Sequence, residues 1–179
     1  MLPFTFEDLN ERFPKIRAWA SANFGEINRC AICMGVTLRL TPSTSEGDAS
    51  VGDVAGSDKI LTDAARIAGG PRGDYKNQLF IRASELLPRV QRAYGLADVS
   101  GPAKVVWPRV EGSKGVIYIE NCYPTEGDKR WTIKGVYEPT SGDHWDLFDG
   151  IMMVAEKAWI RNNHHEDSLH FWRARSSRG

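Results

Sequence analysis

The residues Asn28-Arg29-Cys30-Ala31-Ile32-Cys33 carry the first chemistry legible in the chain. An N-cap at Asn28 would put Cys30 in the first turn of a helix. The backbone amides there have no intrahelical acceptor, and the positive end of the helix dipole favours thiolate over thiol. A thiolate so placed is a nucleophile. Cys33 falls one turn further in, on nearly the same face, and is expected to point into the core. The plainer reading makes both cysteines small buried hydrophobes. Cys-x-x-Cys also suits a redox pair or half of a zinc site. A redox pair normally follows a strand in a βαβ context, whereas a helical segment precedes this one. Zinc would need two further ligands, from Cys122 or the histidines, and there is no second Cys-x-x-Cys.

The second feature is His144, in Gly142-Asp143-His144-Trp145-Asp146-Leu147-Phe148-Asp149-Gly150. A histidine at the start of a strand, beside a helix bearing a cysteine, is the arrangement of base and nucleophile on separate elements that papain-like hydrolases use. His164, His165 and His170 lie in a polar segment with Glu166 and Asp167. Their separations of five and six residues do not bring two imidazoles onto one helical face, as a shared metal would want. These three are expected on a solvated surface.

The elements that must position Cys30 and His144 come next. Thr5 and Asp8 form a capping-box pattern for a helix running toward Phe13. Pro14 restarts or kinks it, Ile16 to Phe24 continues it, and Gly25 ends it. The helix from Asn28 carries Cys30, Cys33, Val36 and Leu40. Residues 41–58, rich in Ser, Thr, Gly and Asp, read as a mobile loop. Lys59 to Ala68 reads as a short helix, Leu79-Phe80-Ile81 as a short strand, and Ser84 as the cap of a helix ending near Tyr94. Thereafter the period changes. Gly115 to Glu120 and Trp131 to Tyr137 are expected strands. His144–Phe148 and Ile151–Ala155 flank Asp149-Gly150, a dipeptide suited to a tight type I′ turn. A last strand or helix includes Leu169 to Trp172. Helices followed by antiparallel strands make an α+β domain rather than alternating βαβ units.

At 179 residues, 41% of them hydrophobic, the chain suffices for one domain with a sizeable core. Basic and acidic residues balance at 23 each, so the electrostatic footprint of a nucleic-acid or anionic-membrane binder is missing. Arg173, Arg175 and Arg178 form a basic tail, expected to be a frayed, solvated terminus. Residues Met1 to Glu7 lack the basic start and apolar run of a signal peptide, so synthesis in the cytoplasm is expected. No apolar run reaches the roughly 18 residues of a membrane span. Three cysteines do not make a disulfide framework.

Several of these stretches resemble the fourth family of type VI secretion amidase effectors. Asn28 to Gly35, with Cys30 followed by a small residue, Ile32 and Met34-Gly35, is similar to its nucleophile motif. Gly112-Ser113-Lys114-Gly115-Val116-Ile117 resembles its glycine-lysine-glycine lead-in to a central strand. Gly142 to Gly150 resembles its Gly-His-x-x-Leu-aromatic-Asn/Asp-Gly segment, and Phe80-Ile81-Arg82 before the Ser84 helix also fits. The likeness spans most of the chain in the same order.

The resemblance implies an NlpC/P60-type papain-like fold, with the nucleophile helix packed on an antiparallel sheet. It implies cleavage of the amide between γ-D-glutamate and diaminopimelate in peptidoglycan stem peptides. Cys30 would be the nucleophile, His144 the proton relay and backbone amides the oxyanion site, with no metal or cofactor. It further implies secretion by a type VI machine into the periplasm of target bacteria, and a cognate immunity protein.

The family places an acid across the hairpin from the histidine, to hold its tautomer. With a two-residue Asp149-Gly150 turn, His144 faces Ala155, which cannot serve. One extra loop residue, or a bulge, brings Glu156 opposite instead, and Glu156 is the expected third catalytic residue; the alternatives are a dyad, another group in that role, or an impaired site. Asp149 reads as turn chemistry. Asp146 lies on the same strand face as His144 but points along it. Other readings are a papain-like acyltransferase or peptidase with another substrate, or a non-enzymatic interaction domain with Cys30 inert and six tryptophans as partner surface.

Overall fold

The computed structural model describes residues 1–24, 29–40, 79–80, 82–122, 129–131, 137–139, 142–155 and 168–177. Helix α1 spans Phe6–Phe24 with Pro14 inside it. The expected capping box forms: Thr5 Oγ1 accepts from the Asp8 amide at 3.1 Å, and Asp8 Oδ2 accepts from the Thr5 amide at 3.3 Å. Helix α2 (Cys30–Thr37) is shorter than the sequence suggests, because Arg39 adopts φ 59° and turns the chain. The Leu40 amide then reaches back to Gly35 O at 2.8 Å and the Arg39 amide to Val36 O at 3.0 Å, a Schellman closure without glycine. The Arg39 guanidinium lies over the Phe4 ring.

Helix α3 covers Ala83–Tyr94, with Arg82 rather than Ser84 at the N-cap, and ends as expected at Gly95 (φ 85°). Two elements escaped the sequence reading: strand β1 (Val99–Pro102) and helix α4 (Ala103–Val110). Their brevity, and Pro102 and Pro108 within or beside them, erase any periodic signal. Strand β2 is Gly115–Cys122. Trp131 and Tyr137 do not share one strand; they face each other across a hairpin of β3 (Lys129–Trp131) and β4 (Tyr137–Pro139). Strands β5 (Gly142–Phe148) and β6 (Ser168–Arg173) complete the set. Leu79 and Phe80 are buried without forming a strand. Residues 41–58 and Lys59 to Ala68, read as a loop and a helix, lie outside the described residues.

The main sheet is antiparallel, in the order β1-β6-β2-β5. Side chains alternate between its faces. Val116, Tyr118, Trp145, Leu147 and Trp172 join α1, α2 and α3 in one core. Ile117, Ile119, Phe148, Leu169 and Phe171 meet Val106 and Val110 of α4 in a second. Trp145 ties β5 to α3: it is fully buried, and its indole N–H donates to Ala83 O at 2.8 Å. This is an α+β, papain-like architecture. No helix among the described residues is long and apolar enough to cross a membrane.

One further expectation changes. Arg173 ends β6 with its amide on Asp98 Oδ2 (2.7 Å), and the Arg175 amide donates to Phe4 O (2.8 Å). The basic tail is therefore pinned through Arg175 rather than frayed. Strand β2 opens on glycine at Gly115 because a Cβ there would run into the Trp172 carbonyl of the paired strand. Gly115→Ala must push β2 and β6 apart; a loss of ~2 kcal/mol or more is expected in chemical denaturation.

Candidate active site

Every residue of α2 from Ala31 to Thr37 is buried, which leaves Cys30 as the one half-exposed position of that helix. The N-cap is Arg29, without a side-chain cap, rather than Asn28, which lies outside the described residues. Cys30 is thus the first helical residue. The Cys33 amide closes the first turn on Arg29 O at 2.8 Å, so the amides before it have no acceptor within the helix. An apolar helix driven into the core, with its N-terminus at the surface, fixes the thiol without any cap.

Across from it, β5 presents His144. The Asp143 carbonyl accepts from Cys30 Sγ at 3.8 Å, placing the start of β5 against the start of α2. Ile119 of β2 pairs with His144, and the register slips by one between Ile119 and Cys122. A bulge beside the histidine bends the strand where it must meet the helix. The imidazole side chain is 18% exposed, with Nε2 3.7 Å from Asp146 Oδ2. That distance suits an ion pair and is longer than a hydrogen bond; catalytic contacts of this kind commonly tighten when substrate binds. With Nε2 turned to Asp146, Nδ1 is the nitrogen available to the thiol. Desolvation alone would push the imidazole down, but its contacts with Asp146 and Cys30 outweigh it and hold His144 at about 10. His144 therefore carries a proton through neutral pH and can face a thiolate.

Cys33 behaves as the core residue expected of it. Burial pushes its thiol up to about 12, so it stays protonated and unreactive. In a Cys122→Ser background, iodoacetamide at neutral pH is expected to modify Cys30 and leave Cys33 intact until the protein unfolds; peptide mass mapping reads both. Cys30 and Cys33 are free thiols. Among the described residues no group of three or more His, Cys, Asp or Glu converges as a metal site would require.

The hairpin after β5 differs from the tight turn expected. Phe148 pairs with Met153, leaving residues 149–152 as the loop, and the Val154 amide bonds Leu147 O at 2.9 Å. Asp149 is turn chemistry, as expected: its Oδ1 accepts from the Ile151 and Met152 amides, each at 2.8 Å. The loop is longer by one than the register that favoured Glu156, and Glu156 itself lies outside the described residues. Ala155 does not face His144. Its amide donates to both carboxylate oxygens of Asp146, at 3.1 and 3.0 Å.

His170 was expected on a solvated surface, yet it sits within β6, its side chain 15% exposed. Its Nδ1 is 2.7 Å from Ser100 Oγ and its Nε2 3.3 Å from Glu120 Oε1, so it links β1, β6 and β2. His164 and His165 lie outside the described residues. Trp19, Trp145 and Trp172 are buried and Trp107 packs on Phe148, so these four are core rather than partner surface.

Three solved structures share this fold over nearly the whole chain. The type VI effector Tae4 from Enterobacter cloacae aligns with a TM-score of 0.58 and 14% identity, covering 97% of this chain and 98% of that one. Its complex with Tai4, a type VI effector–immunity complex from the same organism, gives 0.56 and 14%, covering 97% and 100%. Tae4 from Salmonella typhimurium, bound to the Enterobacter cloacae immunity protein Tai4, gives 0.54 and 12%, covering 96% and 99%. No family model matches the chain, and no curated protein matches it in sequence.

Proposed function

We propose that this chain is an antibacterial cysteine amidase that cleaves the γ-D-glutamyl–diaminopimelate amide of peptidoglycan stem peptides, in one NlpC/P60-type domain. The observation that carries this reading is the meeting of a half-exposed Cys30 at a helix N-terminus with a largely buried His144 on the facing strand. The fold shared with type VI effectors adds support for the route of delivery and the immunity partner.

In the first half-reaction the Cys30 thiolate attacks the amide carbonyl carbon. The oxyanion that forms is met by backbone N–H groups at the start of α2. His144 then gives its proton to the departing amine as the C–N bond breaks, leaving a thioester on Sγ. In the second half-reaction the neutral imidazole takes a proton from water. The resulting hydroxide attacks the thioester, releasing the carboxylic acid and restoring the thiolate–imidazolium pair. No step calls on a metal or cofactor.

Delivery by a type VI machine into the target periplasm, and restraint by a cognate immunity protein, complete the reading; nucleic acid and membrane have no part in it. Expression directed to the periplasm of a Gram-negative bacterium tests it. Lysis is expected there, and not from cytoplasmic expression or from the Cys30→Ala variant. Growth unaffected by periplasmic protein would contradict it.

A further inference from the structure

We propose that Asp146, two residues along the same strand as His144, is the positioning carboxylate of the site. This rests on the reading of Cys30 and His144 as the hydrolytic pair. Residues i and i+2 of a strand share a face, so His144 and Asp146 project together from β5, and Asp146 Oδ2 lies 3.7 Å from His144 Nε2. The carboxylate is wholly buried. It is held by backbone donors: the Leu147 amide at 2.7 Å and the Ala155 amide at 3.0–3.1 Å. Ala155, after the hairpin loop, thus contributes a main-chain N–H that fixes the carboxylate. A charge fixed in this way presents one oxygen to Nε2 and leaves Nδ1 for the thiol.

Asp146 is an anionic group that meets His144 from its own strand. Cys30 approaches from α2, and Ile119, paired with His144 on β2, is apolar. Arg17 and Arg29 act at longer range on the neighbouring Cys33. Asp146 also anchors the hairpin, so loss of activity alone would not separate positioning from folding.

The test therefore reads the imidazole itself. NMR titration of the His144 ring, and the pH profile of Cys30 alkylation by iodoacetamide, are compared for wild type, Asp146→Asn and Glu156→Gln. Wild type is expected to titrate near 10. Asp146→Asn is expected to fall by one unit or more, with kcat lowered at least tenfold and KM little changed, while Glu156→Gln follows wild type. A folded Asp146→Asn with an unmoved midpoint, or the same fall in Glu156→Gln, would overturn the proposal. If Asp146→Asn does not fold, wild type decides. A protected, downfield Nε2-bound proton with a midpoint near 10 supports the proposal, and a midpoint near the ordinary ~6.5 overturns it. The ring titration and the alkylation profile use no peptidoglycan, unlike kcat and KM, so a wrong substrate would leave those two results standing.

Discussion

Cys30→Ala is expected to lower the rate of stem-peptide cleavage by about four orders of magnitude or more, the scale on which removal of a covalent nucleophile acts. The fold should survive. Cys30 is half-exposed at the end of α2, and the hydrophobic grip on that helix comes from Ala31, Ile32, Met34 and Val36, all buried. Thermal unfolding of the variant should lie within a few degrees of wild type. A variant that is folded, soluble and still active would remove the nucleophile from its assigned role. Cys33 cannot substitute for it, because its thiol is buried and held up at about 12.

His144→Ala should fall nearly as far, by roughly three orders of magnitude, since proton transfer to the leaving amine is lost along with the partner of the thiolate. The pH dependence has a definite sign. The folded-state value, about 10, lies above the ordinary value of 6.5. Between those values the folded state holds a proton that the unfolded chain releases. The stabilisation is therefore complete below about 6.5 and is lost as pH rises through about 10. Melting temperatures of wild type and His144→Gln should converge as pH is raised across that window. The wild-type rate should likewise persist into mildly alkaline solution and decline as the imidazolium is lost near 10. A gap in melting temperature that widens with pH would contradict the account.

The places of Cys30 and His144 in the fold were legible because each sits near the start of an element whose signals are local: an apolar helical run, and a β-rich strand ending in Asp149-Gly150. The capping box at Thr5 and Asp8 and the stop at Gly95 were legible for the same reason. The helix cap was misread, because burial of Ala31 to Thr37 holds the helix where a side-chain cap at Asn28 was expected. Its far end was hidden as well, since Arg39 adopts a left-handed turn that usually announces itself as glycine. β1 and α4 were missed because short segments next to prolines have no period of their own; β1 is made by pairing with β6, and α4 by packing Val106 and Val110 on the sheet.

The third residue depended on hairpin register, which changes with a single loop residue. Asp149-Gly150 suggested a two-residue turn. Asp149 instead caps a longer loop with its own side chain, and Gly150 is placed with φ 103° against Gly112. That added length brings the Ala155 amide to Asp146. A carboxylate pointing along the strand looked idle in the sequence because its partners are backbone amides, which every residue has.

Digestion of purified muropeptides followed by mass spectrometry tests the central claim most directly. Intact protein is predicted to yield fragments divided between D-glutamate and diaminopimelate, and Cys30→Ala to leave the substrate whole. Cleavage at another bond, cleavage that persists in Cys30→Ala, or intact muropeptides after incubation with the wild-type protein would contradict it.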